Sequence, residues 1–323
     1  MTKKIYITRR IPQPGIDLLN EHEFEVEIFE KNEPIPNELL KQKIKEADAL
    51  LPLLTDKISK DIIKAGNNLK IIANYAAGFN NIDMQTANAK KIAITNTPGV
   101  LTDATADLTW ALIMAVSKNV VESDIYTRER KFNGWGPMLF LGGEITGKTL
   151  GVVGAGRIGT AVAKRSAGFE MKVLYTGNSK NNVIEKELQG KKVVLDELLS
   201  ESDFISIHVP LTEKTFHLID SDELQKMKKT AYLINTSRGP VVNEKALTVA
   251  LKTNQIAGAG LDVYENEPQI SDDLIKMKNT VLLPHIGSAT SETRIKMALM
   301  AATNIIEYFK GNKPPNILNP EVL

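Results

Sequence analysis

Lys148-Thr149-Leu150-Gly151-Val152-Val153 runs directly into Gly154-Ala155-Gly156-Arg157-Ile158-Gly159, and the succession of these two pieces decides the fold. The first reads as a buried strand, and Arg157 to Ala167 carries helical spacing with apolar Ile158, Ala161, Val162 and Ala163. A bare G-x-G-x-x-G occurs by chance in many chains, so its meaning comes from the strand before it and the helix after it. A strand that turns through Gly154 and Gly156 into a helix lets the backbone approach a pyrophosphate, whose charge then rests at the helix N-terminus beside Arg157, Ile158 and Gly159. The alternative is a tight strand-to-helix turn with no ligand.

A dinucleotide-binding fingerprint of this kind expects an acid about 20 positions further on, at the end of the second strand, to bond the adenosine ribose 2′-hydroxyl. Here Met171-Lys172-Val173-Leu174-Tyr175 runs into Thr176-Gly177-Asn178-Ser179-Lys180, and no Asp or Glu appears before Glu185. An acid would repel a 2′-phosphate, whereas Gly177 leaves room and Asn178, Ser179 and Lys180 offer donors and one positive charge. NADP(H) is therefore favoured, with NAD(H) left open. The competing reading is a polar loop that simply faces solvent.

At 323 residues the chain exceeds a typical single core, so two domains are expected. Hydrophobic residues make up 42% and charged residues 24%, a globular composition that excludes wholesale disorder. A net charge of +1 makes no electrostatic case for nucleic acid or an anionic membrane as partner. Without cysteine there are no thiol nucleophiles, disulfides or thiolate metal sites, and His22, His208, His217 and His285 lack the spacing of a metal motif. No metal is expected. Met1-Thr2-Lys3-Lys4-Ile5-Tyr6-Ile7 begins as a strand and lacks the apolar core of a signal peptide, and no apolar run approaches a membrane span. The expectation is a soluble cytoplasmic protein.

Strand-like and helix-like stretches alternate from Lys4 to Thr95, with strands at Ile5 to Thr8, Phe24 to Phe29, Ala47 to Leu54, Leu69 to Tyr75 and Ile92 to Thr95. A second series has strands at Thr149 to Val153, Met171 to Tyr175, Lys192 to Val194, Phe204 to His208, Ala231 to Asn235, Ala257 to Leu261 and Thr280 to Leu283. This rhythm predicts an α/β chain with two doubly wound, parallel-sheet, Rossmann-like domains. Between the two series, Thr102 to Val121 reads as one long helix whose apolar breadth suggests burial at a domain or subunit interface. A last helix from Ser291 to Phe309 follows the second series; packed back on the first unit, it makes that domain discontinuous. The expected division is residues 1–99 plus 290–323 as the substrate domain and residues 100–289 as the dinucleotide domain. The cleft between two such domains, at the carboxyl ends of their strands, is where this fold receives ligands.

Residues 131–143 have no periodicity yet carry Phe132, Trp135, Met138, Leu139, Phe140 and Leu141. An exposed loop would not bear them, so the segment is expected in a homodimer interface, with an intrachain lid as the close competitor. Whether Trp135 to Phe140 reaches the neighbouring subunit's site stays open.

Arg238 follows Leu233-Ile234-Asn235-Thr236-Ser237, just beyond the carboxyl end of a strand. A guanidinium there can hold a carboxylate in a forked geometry and polarise the adjoining carbonyl. His285, in Leu283-Pro284-His285-Ile286-Gly287-Ser288, follows another strand and suits a proton donor near neutral pH. Glu267, in Asp262-Val263-Tyr264-Glu265-Asn266-Glu267-Pro268, could bond the other ring nitrogen and keep the acid loaded. Singly these are surface charges or a strand-end residue; jointly they suit reduction of a 2-oxo acid. Ser237 and Ser288 lack the G-x-S-x-G frame, which disfavours hydrolase chemistry.

Five stretches carry a resemblance: residues 96–107 (Asn-Thr-Pro-Gly-Val-Leu-Thr-Asp-Ala-Thr-Ala-Asp), 151–159, 235–239, 260–268 and 284–290. With them the chain resembles the D-isomer-specific 2-hydroxyacid dehydrogenase family over essentially its whole length, and within it the glyoxylate/hydroxypyruvate reductases. The resemblance implies Arg238 on the substrate carboxylate and carbonyl, His285 as acid/base and Glu267 as its partner. It implies Asp262 on the nicotinamide carboxamide and further cofactor contacts at Thr105, Thr236, Val209, Pro210 and Ser288. Ala77 and Gly78 would offer amides to the substrate carboxylate, with Leu54 lining the pocket. Leu174-Tyr175-Thr176-Gly177 also resembles the NADPH-using reductases, although Asn178 stands where an Arg would be expected.

Other D-2-hydroxyacid dehydrogenases remain as alternatives: 2-ketogluconate reductase, D-lactate dehydrogenase and phosphoglycerate dehydrogenase, the last of which wants more basic residues in the first domain. Formate dehydrogenase replaces the Glu267 partner, and a non-catalytic NAD(P)-sensing module has no use for Arg238, Glu267 and His285 together.

Overall fold

The computed structural model describes residues 2–323, which divide into two compact units. Unit 1 comprises Met1–Leu101 and Ser288–Leu323; unit 2 comprises Thr102–Gly287.

Unit 1 is built on β1 (Lys4–Ile7), β2 (Glu25–Ile28), β3 (Ala49–Leu51), β4 (Ile71–Ala73) and β5 (Ala93–Thr95), all parallel in the order β2-β1-β3-β4-β5. Every residue of β3, β4 and β5 is buried, because helices cover both faces of a parallel sheet. The edge strand β2 instead alternates exposed Glu25 and Glu27 with half-buried Val26 and Ile28. The helix Ser291–Phe309 belongs here. It packs on the helix Gln13–Glu21, where a β-carbon on Gly15 would lie 2.7 Å from that of Ala298. Ile305 and Ile306 are buried in the apolar core of this unit, and the burial of each contributes about 1.5–3 kcal/mol. Tyr75 Oη also donates to the Arg294 carbonyl at 2.7 Å.

Unit 2 holds β6 (Thr149–Val153), β7 (Lys172–Thr176), β8 (Lys191–Lys192), β9 (Phe204–Ile207), β10 (Tyr232–Asn235), β11 (Gly258–Leu261) and β12 (Thr280–Leu282). The parallel order is β12-β11-β10-β9-β6-β7-β8. After β6 the chain winds outward through β7 and β8, then returns to lay β9 on the other side of β6. Strand order therefore reverses between β6 and β9, the kind of switch point at which doubly wound sheets bind ligands.

Two expectations change. The single helix from Thr102 to Val121 is in fact two, Thr102–Ser117 and Val120–Arg128, broken at Asn119, whose φ of +52° leaves the helical region. The Asn119 side-chain Nδ2 donates to the Leu141 carbonyl at 3.2 Å, and the Gly143 backbone amide donates to the Ser117 carbonyl at 2.8 Å, so the returning chain occupies the helix end. The apolar breadth of Thr102–Ser117 also has its explanation inside unit 2. The helix lies over β10, β11 and β12, with Trp110 stacked on Phe169 at 4.9 Å and its indole N–H donating to the Val162 carbonyl at 3.0 Å.

Candidate active site

At the end of β6, Gly154 adopts φ +100°, and a β-carbon there would lie 2.8 Å from the carbonyl of His208, which follows β9. A β-carbon on Gly159 would overlap the Gly154 carbonyl, so the helix Arg157–Arg165 packs directly on the turn. By contrast, nothing lies within 4 Å of a β-carbon built on Gly156. The helix has no capping side chain and no acid in its first turn, so its orphan N–H groups open onto that space. The residues present thus fit a pyrophosphate.

Around this turn, Val209 lies within 2.8 Å of the Gly154 β-carbon position, and exposed Pro210 accepts from Thr215 Oγ1 at 2.6 Å. Burial pushes the His208 imidazole down to about 3, so it is neutral near pH 7, with Ser206 Oγ 2.7 Å from its Nε2. Asn178, Ser179 and Lys180 form an exposed loop after β7. Glu185, the first acid beyond that strand, accepts from Tyr175 Oη at 2.7 Å and is tied to the body of the unit.

Arg238 leaves β10 through a turn that Asn235 organises. Asn235 Oδ1 accepts from the Ser237 amide and hydroxyl at 3.0 and 2.9 Å, while its Nδ2 donates to the Arg238 carbonyl at 3.0 Å. The guanidinium Nη1 donates to the Ser237 carbonyl at 2.6 Å. Burial pulls the guanidinium below its ordinary value, and the Glu267 carboxylate opposes that shift. Residue 239 has to be glycine, since a β-carbon there would overlap the Tyr264 carbonyl. The loop after Arg238 and the loop carrying Glu267 are therefore in backbone contact.

His285 has φ +55°, a conformation that costs a non-glycine residue about 1–3 kcal/mol unless its surroundings enforce it. Asp262 does so: its two oxygens accept the amides of Ile286 and Gly287, each at 2.7 Å. Burial raises the Asp262 carboxyl, and those amides together with His285 oppose the rise. Glu267 Oε2 lies 2.8 Å from His285 Nδ1, and Glu267 Oε1 accepts from the Tyr264 amide at 3.0 Å. Burial pushes the Glu267 carboxyl up, but the His285 bond and charge, the Tyr264 amide and Arg238 outweigh it and hold the group below the usual carboxylate range. An ionised carboxylate only accepts, so Nδ1 carries the proton of this bond and Nε2 is the nitrogen left to exchange one.

Thr105 and Thr236 join the same assembly. Thr105 Oγ1 donates to the Gly287 carbonyl at 3.0 Å; Thr109 donates to the Thr105 carbonyl at 2.8 Å, which leaves Thr236 to donate to Thr109 at 2.9 Å. Unit 2 thus holds Arg238, Glu267, His285, Asp262, Thr105 and Thr236, whereas Leu54, Ala77, Gly78 and Ser288 belong to unit 1. There, Leu53 pairs with Tyr75, which sets Leu54 beside the stretch leading to Ala77. Asn96 Nδ2 donates to the Ala77 carbonyl at 2.7 Å, and Asn74 Nδ2 to the Gly78 carbonyl at 2.8 Å. Because C=O and N–H of one trans peptide point opposite ways, the Asn96 bond aims the Gly78 amide away from it. Ser288 accepts from Arg294 Nε at 3.2 Å.

A brace absent from the sequence reading stands behind these loops. Glu244 accepts the Glu265 amide on Oε2 at 3.1 Å and the Ser271 amide on Oε1 at 3.3 Å, gripping both ends of the loop that carries Glu267. Glu265 in turn accepts the Glu244 amide at 3.0 Å and lies 2.9 Å from His217 Nε2, while the His217 amide donates to the Pro240 carbonyl at 2.8 Å. An acid opening the helix Glu244–Lys252 was the available signal. Among the described residues no group of three or more His, Asp or Glu is arranged to hold a metal ion, and no helix is long and apolar enough to cross a membrane.

The profile described as "D-isomer specific 2-hydroxyacid dehydrogenase, NAD binding domain" matches residues 110–287. A glyoxylate reductase of Thermococcus litoralis is 50% identical over 327 residues, covering 100% of this chain and 98% of that protein. Among solved structures, a Thermus thermophilus protein superposes with a TM-score of 0.92 at 40% identity, covering 98% and 99% of the two chains. An NADPH-dependent glyoxylate/hydroxypyruvate reductase of Sinorhizobium meliloti, in complex with NADP and malonate, gives 0.87 at 27% identity over 99% and 98%. The chain belongs to the D-isomer-specific 2-hydroxyacid dehydrogenase family. It is an oxidoreductase that works with a nicotinamide cofactor.

Proposed function

We propose that the protein reduces a small 2-oxo acid of the glyoxylate or hydroxypyruvate type to the D-2-hydroxy acid, with NADPH preferred over NADH. The observation that carries this reading is the His285–Glu267 bond in the same unit as the half-buried Arg238. Arg238 binds the substrate carboxylate and polarises its carbonyl. The bound reduced nicotinamide supplies the hydride. His285 gives the proton on Nε2 to the carbonyl oxygen as C2 gains the hydride, and the neutral ring then takes a proton from solvent. Glu267 holds the imidazolium, and Arg157, Ile158, Gly159, Thr105, Thr236 and Asp262 serve the cofactor. The loop Asn178-Ser179-Lys180, free of acid because Glu185 is engaged by Tyr175, supports NADPH. Adding glyoxylate, hydroxypyruvate, pyruvate or 2-ketogluconate to enzyme with NADPH or NADH tests the reading. Oxidation of NADPH with the smaller acids is expected, and silence with all four sinks it.

The protein is further read as a cytoplasmic homodimer. Phe132, Trp135, Met138 and Leu141 are 58%, 85%, 77% and 64% exposed, and a second copy would cover them. Sedimentation at micromolar concentration should give twice the chain mass, and Trp135→Glu should shift it to monomer. A wild-type monomer contradicts the dimer.

A further inference from the structure

The cofactor loop contains one departure from the NADPH-using pattern, Asn178 in place of an Arg, and the neighbouring strand bears on it. β8 pairs in parallel with β7 so that Lys192 lies opposite Tyr175, and residues directly opposite project from the same face of a sheet. Tyr175 is tied to the loop on that face, its hydroxyl accepting from the Asn181 amide at 2.8 Å. Lys192 follows it there: Nζ donates to the Asn178 carbonyl at 3.4 Å. An ammonium from 14 residues further along the chain therefore sits against the backbone of residue 178.

We propose that Lys192 supplies the cation that Asn178 lacks and binds the 2′-phosphate of NADPH from the adjacent strand. This rests on the NADP(H) reading above. The chemistry suits lysine, a compact charge on a flexible stem that exchanges a neutral carbonyl for a phosphate oxygen by small rotations. Among the described residues no carboxylate lies within ion-pair distance of Lys192, whereas Lys164 pairs with Glu187 at 3.0 Å. Ser179 and Lys180 complete the donor set from the loop itself.

The test is calorimetric binding of 2′,5′-ADP and of 5′-AMP to the full-length protein, two ligands that differ only in the 2′-phosphate and involve no turnover. Wild type should bind 2′,5′-ADP more tightly. Lys192→Met, which keeps most of the stem, should weaken 2′,5′-ADP about tenfold and leave 5′-AMP unchanged, and adding Asn178→Arg to it should restore the affinity. A wild-type preference that survives Lys192→Met overturns the role of Lys192 and leaves the NADP(H) reading standing. Equal wild-type affinities overturn both. Equal weakening of 5′-AMP by Lys192→Met also overturns the proposal, since it reports a disturbed loop.

Discussion

His285→Ala is expected to lower kcat by about a hundredfold to ten-thousandfold, the range in which a positioned general acid contributes, while NADPH binding stays unchanged. In the proposed reaction the ring takes part only through its proton. Its Nδ1 is engaged by Glu267, a carboxylate held ionised, so losing the imidazole removes the donor and leaves that carboxylate without its partner. Alanine at φ +55° adds backbone strain of its own, which makes His285→Asn the better companion. Asparagine accepts this conformation readily and can donate to Glu267, yet carries no exchangeable acid proton. Both variants should lose turnover, and nicotinamide fluorescence should report wild-type binding of NADPH in both. A variant keeping more than about a tenth of wild-type kcat would remove His285 from the chemistry.

Arg238→Lys should lower kcat/KM about ten- to hundredfold, matching the roughly 1.5–3 kcal/mol of one hydrogen bond to a charged group. The charge survives; the fork does not. A lysine reaches either the carboxylate or the carbonyl oxygen, so KM should rise with the first loss and kcat fall with the second. The Asn235 turn bonds the backbone carbonyl at position 238, so the variant should keep the turn while losing the guanidinium's bond to the Ser237 carbonyl. Steady-state kinetics over a range of glyoxylate concentrations separates the two effects. An unchanged KM would mean that Arg238 does not bind the carboxylate.

The twelve strands were legible because buried parallel strands are short apolar runs set between helical periods, and β6 with its glycines is the clearest of them. β8 was less so. It keeps only Lys191 and Lys192, both exposed, where the apolar residues Val193 and Val194 drew the expectation further along. The helix break at Asn119 was hidden because Lys118-Asn119 contains neither Gly nor Pro, and its cause is a segment that returns more than twenty residues later. Arg238, Glu267 and His285 could be found from the sequence because each stands just after a strand with turn residues around it. Glu244, Glu265 and His217 could not: their bonds span 21, 27 and 48 positions and run mainly through backbone amides, which every residue possesses. Lys192 was hidden for a similar reason, since only the strand register shows what it faces.

Arg238, Glu267 and His285 all lie within Thr102–Gly287, fastened to one sheet and to one another's loops. The freedom these three groups would otherwise lose on meeting a substrate has been surrendered when that unit folded. In the proposed reaction the dipoles and charges these loops fix would need no reorganisation at the moment of proton transfer, and the barrier would be spared that term.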